Sequence, residues 1–149
     1  MTAMDHEERT LAALAHLGVF IPLIGLVGVF GLFLSPRARN PRFQFQALQA
    51  AVVQMAEVVF LILMLVLYLF AIFGSLLFAA FFQKEGQPFF GAVLPILVSV
   101  LTFLGLLAFF LAGGAAAVTL MSGKDFEVPG VAGFLRRYAA PAADESPQT

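Results

Sequence analysis

Cysteine and tryptophan are both absent from this chain of 149 residues. No cysteine means no disulfide, no thiol nucleophile and no thiolate metal site. With two tyrosines against 18 phenylalanines, phenylalanine must supply the aromatic belts that membrane proteins place at their interfaces. Charge is scarce as well. Asp, Glu, Lys and Arg make up 11% of the residues, against about 25% in a soluble domain. The net charge of −1 leaves no basic footprint, so nucleic acid is not an expected partner. Signatures of catalysis are missing too. There is no HExxH, GxSxG, Walker loop or CxxC, and no acidic cluster for a divalent metal. The two histidines are ten residues apart, which makes no metal site. Ser35, Ser75, Ser99 and Ser122 have no base beside them in sequence. No catalytic residue, cofactor or metal ligand is expected, and the chain does not read as an enzyme.

What is present is long uncharged apolar sequence. Residues 10–36, 58–83 and 86–123 contain no Asp, Glu, Lys or Arg, in runs of 27, 26 and 38. Hydrophobic residues reach 61%, and mean hydropathy is +0.97. A bilayer core takes about 20 apolar residues per helix. The expected fold class is therefore an all-α integral membrane protein. Asp5, Glu7 and Glu8 stand where a secretory signal wants positive charge, so the first run is expected to stay as an anchor.

Three transmembrane helices are expected, over about 11–34, 43–82 and 89–121, in a single membrane domain covering 1–138. A disordered tail is expected at 139–149. The first span is capped by Thr10, or by Asp5 from an earlier start, and is kinked at Pro22. Gly18, Gly25, Gly28 and Gly31 make it thin, for close packing of another helix or, alternatively, as a broken substrate-lining helix. The second helix starts at Pro41 and is amphipathic at first. At 100° per residue, Arg42, Gln46, Gln49 and Glu57 fall on one side, with Gln54 at its edge. That face either extends into the headgroup region or packs inside a bundle. Residues 83–88 read as a turn. In the last run, Pro95 and the Gly113, Gly114 pair are kink points, and Ala108, Ala112 and Ala116 form a small-residue ridge for helix packing. Residues 124–138 read as an amphipathic membrane-surface segment.

Charge bias favours three spans over four. It sets Arg37, Arg39, Arg42, Lys124, Arg136 and Arg137 on one side, with Arg9 and Lys84 on the other. The positive-inside rule then puts the connector and C-terminus in the cytoplasm and the N-terminus outside an inner (plasma) membrane. Two ionisable residues lie in or beside the apolar runs, His16 and Glu57. Such groups are functional candidates because burial is costly. The plainer alternatives are that His16 reaches the interface or bonds a carbonyl, and that Glu57 meets headgroups or Gln54.

Three patches carry a family resemblance. The first is Ala13, Leu14, Ala15, His16 and Leu17, followed by Pro22. The second is Arg42, Phe43, Phe45, Gln49 and Ala50, which leads into a span. The third is Phe126, Val128 and Pro129, after the last span. In that order they resemble a bacterial family of small polytopic membrane proteins of unassigned function. That family is itself similar to the small channel-like subunit of the chloroplast Tic translocon. The resemblance implies a helical membrane protein acting as a structural, assembly or translocation component and supplies no catalytic residue. The implied partners are membrane lipid, further copies of the chain or other membrane proteins. The alternative function is a small ion- or solute-conducting transporter that uses the polar face from Arg42 to Glu57.

Overall fold

Proline and glycine decide how the first apolar run folds. The computed structural model describes residues 4–82 and 89–139. Helix α1 (His6–Leu17) starts from an Asp5 capping box: the Asp5 carboxylate accepts from the Glu8 N–H, and the Glu8 carboxylate accepts from the Asp5 N–H. A 3-10 turn, Gly18–Phe20, ends α1, and Ile21 leaves the helical region at φ −141° and ψ 75°. Pro22 disfavours helical geometry in the residue before it and opens a new helix, α2 (Pro22–Phe33).

The two helices double back. A Cβ on Gly18 would lie 2.7 Å from the Gly25 Cα, so only glycines permit this approach. Ala15 and Val29 share one buried cluster, and Leu32 packs against the cluster that holds Ala12 and Ala13. Arg37, just beyond α2, pairs with Glu7 at the start of α1. The expected kinked span over 11–34 is thus corrected to a helical hairpin. Each arm has 12 residues, about 18 Å, too short to cross a core of about 30 Å. The Arg37–Glu7 pair brings the two ends of the hairpin together.

After a 3-10 turn (Pro36–Arg39), Asn40 caps α3 (Pro41–Phe82) by accepting from the Arg42 N–H. Helix α4 (Phe89–Met121) stays helical through Pro95, Gly113 and Gly114. Two helices are long and apolar enough to cross a membrane, Pro41–Phe81 and Ala92–Met121, and the described residues contain no strand. Gly123 ends α4 at φ +86°, and the Lys124 N–H reaches the Thr119 carbonyl, a glycine-dependent helix stop. The amphipathic segment forms α5 (Val131–Ala139), with Ala132 and Leu135 buried and Arg136 and Arg137 exposed. The turn expected at 83–88 and the tail from 140 onward lie outside the described residues.

The chain forms two compact units. One joins Met1–Met55 with Phe110–Thr149, and the other is Ala56–Phe109. In the second unit the Phe60 and Phe109 rings lie 5.7 Å apart. A groove of about 420 Å³ there is lined mainly by apolar side chains, among them Leu61, Met64 and Phe103. Its Ser99 and Thr102 hydroxyls donate to carbonyls of their own helix.

Candidate functional site

The first unit is organised around the N-terminal half of α3. That stretch carries two lines of residues. Ala47, Ala50 and Ala51 are small, and they pack with Ala15 and Val29 of the hairpin. The glutamines sit on a different line. Gln46, Gln49 and Gln54 are all buried, with Gln49 at 0% exposure. A buried amide needs partners, since an unsatisfied one costs about 1–3 kcal/mol.

The partners are backbone groups of distant segments. Gln46 Nε2 donates to the Phe126 carbonyl at 2.9 Å, and Gln49 Nε2 to the same oxygen at 3.2 Å. Gln49 Oε1 accepts from the Val128 N–H at 2.8 Å. Gln49 therefore reads the strap after α4 as a neighbouring strand would, by one donor and one acceptor two residues apart. Gln54 Nε2 donates to the Ala15 carbonyl at 2.6 Å, near the point where α1 gives way to its 3-10 turn. His16 is 3% exposed. Its ring stands edge-on to Phe126, centroids 6.2 Å apart, with the Gln46 side chain beside it.

A charged layer closes this clasp at the connector end. Arg42 Nη1 lies 3.4 Å from Asp125 Oδ2, and Arg9 Nη1 lies 4.0 Å from Asp125 Oδ1. Asn40 Nδ2 donates to Glu8 Oε2 at 2.7 Å, and Arg136 pairs with Glu127. The ion pairs among these contribute about 0–1 kcal/mol each. Their larger effect is to fix which segments meet.

Each sequence candidate now has a place. Arg42, Gln46, Gln49, Gln54 and His16 come together in the first unit. Glu57 belongs to the second, is 1% exposed, and has no partner for either carboxylate oxygen among the described residues. Gly18 and Gly25 pack on each other. The alanine ridge is uneven, with Ala116 buried, Ala112 half-buried and Ala108 exposed. The packed line of α4 in the first unit runs instead through Gly113, Ala116, Ala117 and Leu120. A Cβ on Gly113 would meet Val19 and the His16 carbonyl. Sequence reasoning missed Asp125, Glu8 and Asn40 as tethers. It also missed the Phe126 carbonyl and the Val128 N–H, because backbone groups carry no side-chain signal. Among the described residues no three His, Asp or Glu gather as a metal site. The clasp holds segments together by filling their hydrogen-bonding groups.

A family model described as the magnetosome magnetite crystal formation protein family matches residues 7–135. That range contains the clasp glutamines and the backbone groups they bond, and stops one residue short of Arg136. No curated protein and no solved structure matches the chain.

Proposed function

The chain belongs to the magnetosome magnetite crystal formation protein family, and from that membership we propose that it is a structural or assembly component of the membrane around a magnetite crystal. One observation supports this role over conduction. The side-chain amides of Gln46, Gln49 and Gln54 donate to the chain's own backbone and Gln49 Oε1 accepts from it, while Gln46 Oε1 and Gln54 Oε1 are buried without a partner among the described residues. The outward side chains of α2, such as Leu23, Ile24 and Val27, are exposed and apolar. Such a molecule is braced within itself and offers hydrocarbon-compatible surface to lipid and to neighbouring membrane proteins. The likeness to the Tic subunit gains no support from the family match and carries no part of this reading.

The test is deletion in a magnetite-forming bacterium. Crystal size or number should change, and the wild-type chain should restore it. Unaltered crystals in the deletion strain would refute the role. The transporter alternative predicts an ion or proton flux in liposomes that Glu57→Gln abolishes. The structural reading expects no such flux.

The same reading gives a topology with two full crossings by α3 and α4 and a hairpin that does not cross. Arg9, Arg37, Arg39, Arg42, Lys124, Arg136 and Arg137 then share one side, and Lys84 alone is on the other. This seven-to-one bias exceeds the six-to-two bias of three spans and places both termini in the cytoplasm. Reporters fused at each terminus should both read cytoplasmic, and a reporter at residues 83–88 should not. Termini on opposite sides would rule this topology out.

A further inference from the structure

The ion pairs of the first unit sort its cations into two sets. Arg9 and Arg42 meet Asp125, Arg37 meets Glu7, and Arg136 meets Glu127. Glu8 and Asp5 are tied up in the capping box, and Glu8 also accepts from Asn40. Every described carboxylate of this unit is thus engaged. Arg39, Lys124 and Arg137 are left exposed, with no ion pair among the described residues. The acids nearest to them in sequence are held by other arginines: Asp125 follows Lys124 but is drawn to Arg42 and Arg9.

Each free cation has an exposed bulky apolar neighbour. Leu34, 90% exposed, and Arg39 bracket the Pro36–Arg39 turn. Met121, 69% exposed, ends α4 three residues before Lys124. Phe134 is 56% exposed and lies three residues before Arg137 on α5. The strap and its ion pairs tie all three places to the connector end. A cation beside an exposed apolar side chain suits a membrane–water boundary, where the apolar part enters the acyl region and the charge stays at headgroup level.

We propose that Arg39, Lys124 and Arg137 form a binding surface for the headgroups of anionic phospholipids, with Leu34, Met121 and Phe134 seated in the acyl region beside them. A free phosphate ion would use the cations but leave the apolar neighbours in water, so lipid is the better fit. The surface requires only that the protein is membrane-embedded, and it is independent of any role in crystal formation.

The test uses the full chain in nanodiscs of one part phosphatidylglycerol to four parts phosphatidylcholine, with bound lipid counted after detergent extraction. Each cation should favour the anionic lipid roughly fivefold. The wild type should retain phosphatidylglycerol well above its bulk share. The triple variant Arg39→Gln, Lys124→Gln, Arg137→Gln should fall to the bulk share, and Arg39→Lys with Arg137→Lys should keep the enrichment. Inorganic phosphate should not shift the melting temperature of the wild type. Equal enrichment in wild type and triple variant overturns the proposal, as does a phosphate-induced shift as large as that from phosphatidylglycerol. If the triple variant fails to fold, the three single variants are measured, and enrichment unchanged in all of them has the same consequence.

Discussion

Leucine in place of Gly25 should open the α1–α2 hairpin. The Gly25 position faces the Gly18 backbone, and a Cβ there would lie 2.6 Å from the Gly18 Cα. Neither side of that contact is a flexible side-chain end, so the two arms must separate. Overpacking costs about 1–3 kcal/mol where a core can adjust, and a backbone-to-backbone contact belongs at the upper end. The damage should spread, because Ala15 and Val29 pack with the alanine line of α3, and Gln54 bonds the Ala15 carbonyl. Gly28 is the internal control. It lies on the same helix, and a Cβ there would meet nothing within 4 Å, so Gly28→Leu should change stability by about 0.5 kcal/mol or less. Thermal unfolding in detergent compares the two. Equal melting temperatures for Gly25→Leu and Gly28→Leu would show that the hairpin contact does not hold the unit together.

Gln49→Leu should release the strap between α4 and α5. The substitution keeps bulk but removes a donor to the Phe126 carbonyl and the acceptor for the Val128 N–H. Phe126 retains Gln46, whereas Val128 loses the partner identified for its N–H. The expected loss is about 1–3 kcal/mol, the usual cost of leaving a buried polar group unpaired. Gln46→Leu should cost less than Gln49→Leu, because only one bond goes. The double variant should lose more than the sum of the two, since each glutamine covers for the other at one oxygen. Hydrogen exchange over residues 124–130 is the direct readout, with faster exchange at Val128 expected first. Unchanged protection at Val128 in Gln49→Leu would dismiss the clasp as a stabilising device.

The patches that carried the resemblance become intelligible through this clasp. His16 lies in the first patch, Gln49 in the second, and Phe126 and Val128 in the third. Their order was legible in the sequence, as was the shared face of Arg42, Gln46 and Gln49, because helical period is a local property. What lay opposite that face was not legible. A carbonyl at Phe126 looks the same in sequence as any other, and its distance along the chain from Gln46 and Gln49 leaves no spacing rule to read. The alanine ridge shows a similar limit. Spacing of four residues selects Ala108, Ala112 and Ala116, but the line rotates around α4, and its first member is exposed.

The sequence by itself determined that the chain is helical, that α3 and α4 are long and apolar enough to cross a bilayer, that α3 begins with a polar side, and that cations gather around the connector and C-terminal segment. Composition and period suffice for these, since helix formation and partition into hydrocarbon depend on neighbouring residues. Only the tertiary structure decided that residues 11–34 form two helices that double back on each other, which cations are neutralised, and which backbone groups the buried glutamines fill. These are choices among distant partners. They turn on whether two glycines can touch and on which distant backbone groups come within reach of the buried glutamines, and neither condition is written in any one stretch of the chain.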